Sequence, residues 1–287
     1  MNETATEVLT DIHQMKCMEI WGGMSAADAR ISTGGLDVHV VAQPHGRVEA
    51  GGDVHYLSTC GAGNISRFLL ADVAGHGQNV AELADDLRQL MRRFINNPDA
   101  SRMAHALNDE FSELAKEGKF ATAIIATYFA PTNQLIMVNA GHPRPLWYQA
   151  AQKNLQTVDG DDEDCDVTGP KNLPLGVISG TDYEQFAITL TPGDLLMFYT
   201  DSLTETAGPD GQMLGEQGLL DIARSIDAAT AEQAGPALLE RIDRLRGRTD
   251  ADDDLTLLTI HHNGVPPQIG FGERLAAMAK MVGLVPV

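Results

Sequence analysis

Cysteine, basic residues and long apolar runs are all scarce in this chain, and each scarcity excludes something. The three cysteines, Cys17, Cys60 and Cys165, are far apart, odd in number and without CxxC spacing. That speaks against a disulfide framework or a zinc cluster and fits a reducing cytoplasm. Lysine and arginine number 20 against 40 aspartates and glutamates, giving a net charge of −20 and a pI near 4.6. Nucleic acid and anionic membrane both demand basic surface, so neither is expected as a partner. No run approaches the roughly 18 apolar residues of a membrane span. The first twenty residues carry Glu3, Glu7, Asp11 and Glu19 and do not resemble a signal peptide. A cytoplasmic protein is the expectation. With 287 residues and 43% apolar content, the chain can build one large domain or two small ones. Most of the acidic excess reads as solvated surface; the remainder reads as acids clustered to hold cations.

What is present centres on Leu69-Leu70-Ala71-Asp72-Val73-Ala74-Gly75-His76-Gly77. An apolar run ends on an aspartate, glycines follow, and a helical segment begins near Val80. An acid at a strand end is held rigidly, and glycines let a ligand approach the backbone. Upstream, Val8, Leu9, Ile12 and Met15 have helical spacing, so residues 4–18 are predicted as a short amphipathic helix. It either packs on the domain or serves as a dimer or signalling helix. From Leu36 the period becomes two, predicting a half-buried strand through Val38, Val40 and Ala42. Strands 54–59 and 65–71, joined by turn residues, make a hairpin that would set Asp53 beside Asp72.

Apolar stripes over 79–95 and 100–117 predict two packed helices. A second hairpin, 121–129 and 134–140, leaves Thr122 near Gly141-His142-Pro143. The acidic run Asp159 to Asp166 fits no EF-hand spacing and reads as a surface loop. Leu195 to Thr200 is a continuous apolar strand ending on Asp201, and Leu255 to Ile260 begins just after Asp252-Asp253-Asp254. Antiparallel pairing of these two strands creates a second pair of acids by the same device as the first. Residues 264–287, with Leu275, Met278 and Val282 at helical spacing, form an appendage that docks on the domain or binds a partner. The divisions are therefore 1–35, helix and linker; 36–263, the main domain; and 264–287. A homodimer through the terminal helices is one possible assembly.

Four aspartates at strand ends, Asp53, Asp72, Asp201 and Asp253, make a metal site. Oxygen ligands without clustered histidine or cysteine suit Mg2+ or Mn2+ rather than zinc or copper. Two such ions sharing a carboxylate lower the pKa of bound water and clamp a phosphoryl group, so metal-assisted phosphate-ester hydrolysis is the reaction class.

The same residues carry a resemblance. Gly51-Gly52-Asp53, Ala71 to Gly77, Asn139 to Pro143, Leu173 to Gly176, Pro192-Gly193-Asp194, Tyr199 to Glu205 and Asp253-Asp254-Leu255-Thr256 occur in one order over residues 36–262. Together they resemble the SpoIIE/RsbU branch of PPM (PP2C-type) serine/threonine phosphatases. The resemblance implies an α+β fold, a PP2C-like β-sandwich of two antiparallel sheets flanked by helices in αββα layers. It also implies two divalent cations, Mn2+ or Mg2+. Asp72 would bridge them with the Val73 backbone carbonyl beside it. Asp201 and Asp253 would hold one ion and Asp53 the other, directly or through water; Asp254 is the substitute if the acidic register shifts by one. Asp72, Asp201 and Asp253 would act through a metal-bridging hydroxide that attacks phosphoserine or phosphothreonine. The implied substrate is a STAS-type anti-sigma-factor antagonist.

The sequence departs from the family in places. Ser202 stands where glycine is usual, and Tyr56 replaces a second acid three residues after Asp53. Arg47 is the nearest candidate for the phosphate-gripping arginine, though it also reads as a plain surface residue. About thirty-five residues stand where many members carry a sensor domain, so input would come from a partner, the N-terminal helix or expression level. His76 and His142 either orient a water or act as general acids, or brace their glycine turns. Thr122 reads as structural. No phosphoenzyme is expected, since no cysteine lies in a phosphate-cradling loop. The rival reading is a catalytically weak or inactive module of the same fold that sequesters a regulator, and a third is a small-molecule phosphatase.

Overall fold

The computed structural model describes residues 7–8, 12–16, 19–60, 63–74, 78–95, 97, 99–115, 118–158, 160, 170–208, 211–227, 230–247 and 251–265, with the side chains of Glu7, Val8, Arg47, Gln78 and Asn79 excepted. The strands in the first half are β1 (Glu7–Val8), β2 (His13–Gln14), β3 (Ile20–Gly23), β4 (Ala27–Thr33), β5 (Leu36–Gln43), β6 (Asp53–Cys60) and β7 (Ile65–Val73). Helices α1 (Gln78–Phe94) and α2 (Ala100–Leu114) follow, then β8 (Ala121–Phe129), β9 (Gln134–Ala140), β10 (Leu146–Gln149) and β11 (Asn154–Thr157). The chain continues with β12 (Phe186–Thr189), β13 (Leu195–Tyr199), α3 (Gly215–Arg224), α4 (Ala231–Arg246) and β14 (Leu255–His262).

Two sheets stack face to face. The first runs β1-β4-β5-β14-β13-β10-β11, with β2 also on β4; the second runs β12-β9-β8-β7-β6-β3. All pairings are antiparallel except those of β1 and β2 with β4, which are parallel. Leu57, Phe68, Leu70, Ile124, Val38, Phe198 and Leu258 fill the space between the sheets. The outer face of the second sheet buries Leu69, Ala71 and Val138 under Leu83, Leu87 and Met91 of α1 and Leu107 and Phe111 of α2. The outer face of the first sheet buries Met197, Tyr199 and Leu257 under Leu219 of α3 and Leu238 and Ile242 of α4. The result is the αββα layering.

Local sequence explains the elements. Strand β13 and the Phe68–Ala71 stretch of β7 read as unbroken apolar runs because both of their faces are covered. In α1 the buried residues Val80, Leu83, Ala84, Leu87, Leu90 and Met91 lie three and four apart, one stripe against the sheet. Helix α2 is capped by Asp99, whose carboxylate accepts the Arg102 amide at 3.1 Å.

Several expectations need correction. Helix 4–18 does not appear among the described residues; Glu7–Val8 and His13–Gln14 are strands on the edge of β4. Edge pairing satisfies backbone groups that four apolar residues on an isolated helix could not offset. The region assigned to helix and linker also contains β3 and β4, which belong to the two sheets. β5 is buried on both faces rather than half-buried, because α4 covers its outer side. β10 and β11, too short to show a period, went unread. The C-terminal helix and the run Asp159 to Asp166, Gly160 aside, lie outside the described residues. Among the described residues no helix is long and apolar enough to cross a membrane.

Candidate active site

The site is built where strands of both sheets end together. In the β6–β7 hairpin Asp53 and Asp72 are direct cross-strand partners, as the hairpin reading required. Strand alternation turns both toward the space between the sheets, on the side of Leu57, Phe68 and Leu70. Asp53 is 6% exposed and reaches the other sheet. Its Oδ2 accepts from the Thr200 hydroxyl at 3.0 Å and the Thr256 hydroxyl at 2.7 Å.

The first sheet supplies the other acids from just beyond its strands. Tyr199 pairs with Leu257, and the Thr200 amide continues the ladder to the Thr256 carbonyl at 3.1 Å. Asp201 then opens a 3₁₀ turn through Leu203. Its carbonyl accepts the Glu205 amide and the Thr204 hydroxyl, each at 2.8 Å. On the facing loop, Asp253 Oδ1 accepts the Asp254 amide at 2.8 Å. Asp254 is committed elsewhere: its carboxylate accepts the His45 amide at 2.6 Å and the Gly52 amide. A Cβ on Gly51 would collide with that carboxylate, so the glycine pair is required by close approach. The Val73 carbonyl oxygen lies over Gly52, 3.2 Å from where a Cβ would stand.

These carboxylates act on one another. Burial, then Asp201, Asp253, Asp254 and Glu205, push the Asp72 carboxyl up to about 7. Burial, then Glu205 and Asp253, push Asp201 up to about 6. Asp53 is held well above the usual carboxylate range by burial and then by Asp72, against the two threonine hydroxyls. Among the described residues no three His, Cys, Asp or Glu side chains stand close enough to hold a metal ion as they are. The donor chemistry nonetheless fits a hard divalent cation: all oxygen, mutually repelling, and relieved by positive charge.

His142 is buried, and burial pushes its imidazole down to about 3, against the Tyr199 backbone. Its Nδ1 lies 2.9 Å from the hydroxyl of Thr122, itself the strand partner of Asp72. The Asn139 side chain accepts the His142 amide at 2.7 Å and donates to its carbonyl at 2.9 Å. This is the geometry of a loop brace. His76 and the Arg47 side chain lie outside the described residues.

The two departures from the family pattern have physical outcomes. Ser202 sits inside the 3₁₀ turn and is not among the residues with positive φ, so a side chain there is not strained. Tyr56 points to the opposite face from Asp53, into the core under α1, with its hydroxyl 3.4 Å from Arg88. An acid there would not have faced the cluster. Three participants were missed from sequence: Thr200 and Thr256, which clasp Asp53, and Glu205. For Glu205 a signal was available, since it lies one helical turn beyond Asp201.

Known proteins place this arrangement. The family described as Stage II sporulation protein E (SpoIIE) matches residues 63–263. Phosphoserine phosphatase RsbU of Bacillus subtilis (strain 168) is 22% identical over 226 residues, covering 78% of this chain. The chain spans 63% of RsbU's length. The RsbU and RsbW domains of Rv1364c from Mycobacterium tuberculosis superpose with a TM-score of 0.67 at 24% identity, over 90% of this chain and 70% of that one. The SiaA-PP2C domain of Pseudomonas aeruginosa gives 0.64 at 18% identity, over 78% and 85%. These last two likenesses concern the fold. With the family model matched over most of its length, the chain belongs to the SpoIIE family.

Proposed function

We propose that the protein is a metal-dependent serine/threonine phosphatase acting on a phosphoprotein, with a STAS-type anti-sigma-factor antagonist as the substrate class. Family membership supports metal-dependent phosphatase activity in general. The observation that carries the reading to these residues is the Asp53–Asp72 cross-strand pair, with Asp72 pushed up to about 7 by burial and then by Asp201 and Asp253. The relative RsbU is named a phosphoserine phosphatase.

In this reading Asp72, the Val73 carbonyl, Asp201 and Asp253 hold the cations, and Asp53 contributes through water or its free oxygen. Two divalent cations, Mn2+ or Mg2+, when bound supply charge neutralisation and an activated water in line with phosphorus. The protein's part is to fix the donors. Asp53 locks the second sheet to the first through Thr200 and Thr256. Asp254 pins the His45–Gly52 loop beside the site, which leaves Asp253 as the acid of that pair free to face a cation. Without cations the cluster would repel a phosphate dianion, so substrate binding and metal binding are coupled. His142, neutral and tied to Thr122, holds the Gly141 turn rather than donating a proton. Arg47 remains the candidate for gripping phosphate.

The departures at Ser202 and Tyr56 favour an inactive binding module only weakly, since Ser202 has no positive φ and Tyr56 faces away from the acids. The test is p-nitrophenyl phosphate hydrolysis by the purified protein with EDTA, Mg2+ or Mn2+ in parallel. Turnover that needs a cation and vanishes with EDTA supports the reading. Folded protein with no turnover under any cation would return the weight to the module.

A further inference from the structure

A buried charged side chain is linked to the 3₁₀ turn that opens on Asp201. Arg246 is the last residue of α4, and Gly247 follows it at φ 73 as the left-handed cap. The Arg246 side chain is only 4% exposed. Its Nη2 donates to the Thr206 hydroxyl at 2.8 Å, and that hydroxyl donates to the Ser202 carbonyl at 2.9 Å. Thr206 and Ser202 are both buried. Among the described residues Nε and Nη1 have no hydrogen-bond partner, and the carboxylate in ion-pair range is that of Asp243, 3.8 Å from Nη1. A guanidinium kept inside a protein with so little compensation costs stability, and an apolar residue would have packed at lower cost. Through the Thr206 hydroxyl it reaches the carbonyl of Ser202, the residue after Asp201. The end of α4 is thereby tied to the segment that carries Asp201.

We propose that Arg246 is a positioning residue for the cation held by Asp201 and Asp253. Through Thr206 it ties the Ser202 carbonyl to the end of α4, and so holds the backbone from which the Asp201 carboxylate projects. The proposal rests on the metal-phosphatase reading above. Outer residues that orient ligands commonly set metal affinity rather than chemistry, and that is the effect assigned to Arg246.

The test compares wild type, Arg246→Met, Arg246→Lys, Thr206→Val and Asp201→Asn. Calorimetric Mn2+ titration is paired with thermal unfolding in EDTA and with KM and kcat for p-nitrophenyl phosphate at saturating Mn2+. Arg246→Met and Thr206→Val should each weaken Mn2+ binding by about tenfold, with kcat at saturating Mn2+ within about threefold of wild type. Arg246→Lys should recover part of the affinity. Should Arg246→Met fail to fold, Thr206→Val, which keeps shape, carries the test. Unchanged Mn2+ affinity alongside a lowered transition in EDTA would overturn the proposal and leave Arg246 as packing. Unchanged affinity in Asp201→Asn would instead remove the metal-site reading, and the proposal with it.

Discussion

The two sheets contribute their acids in different ways. Asp53 and Asp72 lie within a regular antiparallel ladder, opposite each other, their positions set by strand pairing on both sides. Asp201 and Asp253 lie beyond the last ladder pair, one in a 3₁₀ turn and one in a loop. Ladder geometry is rigid and needs no local help, so the second sheet's pair is an anchor. The loop-borne pair must be held by side chains: Thr204 and Thr206 on one segment, Asp254 on the other. A rigid half and an adjustable half suit a site that must close on cations, because only one side has to move.

Substitutions can break that contrast. The largest effect is expected at Asp72, the acid facing all the others. Asp72→Asn should reduce cation-dependent p-nitrophenyl phosphate turnover to background while the fold, followed by circular dichroism, stays intact. Gly51→Ala should come next: its Cβ meets the Asp254 carboxylate, and overpacking of this kind costs about 1–3 kcal/mol, readable as a lowered urea midpoint. Thr256→Val removes the shorter of two donors to buried Asp53, and a buried acceptor losing a partner costs about 1–3 kcal/mol. If the second sheet's pair is the rigid anchor, this change should also lower turnover more than Thr204→Val does. Smallest is Tyr56→Phe, since its hydroxyl makes one long contact to Arg88; turnover and cation dependence should be unchanged.

The acids also predict a pH dependence with a definite sign. Asp72 and Asp201 are raised in the folded state to about 7 and about 6, from 3.8. Between those values the folded, cation-free protein binds more protons than the unfolded chain. Their favourable contribution is therefore full below pH 3.8 and lost as pH rises through 6 to 7. His55 and His142, held down to about 4 and about 3 by burial, act oppositely, losing their contribution as pH falls below 6.5. Urea unfolding in EDTA should show Asp72→Asn gaining stability over wild type at pH 8 and little at pH 5. Equal differences at both pH values would contradict the repulsion attributed to this cluster.

The same contrast governs what the sequence revealed. Alternation and turn chemistry fix a hairpin's register, so Asp53 opposite Asp72 was readable, as was Thr122 beside His142. Pairing of the two later strands was also readable, from a continuous apolar run and an acidic triplet. That Asp254 ties down the neighbouring loop was not, because that depends on amides of His45 and Gly52 some two hundred residues away. Thr200 and Thr256 were hidden for a related reason. Hydroxyl donors to a buried acid have no period and look like ordinary strand residues until the sheets are stacked. The N-terminal error was of another kind. Four apolar residues at helical spacing over 4–18 fit a helix, yet an open edge on β4 offered backbone partners that local pattern cannot register.

The most direct test of the central claim is calorimetric Mn2+ titration of the wild-type protein beside Asp72→Asn. Two ions binding per wild-type chain, with the variant losing that binding while remaining folded, is the outcome this arrangement of carboxylates predicts. Equal binding by both proteins, or none by the wild type, would contradict it.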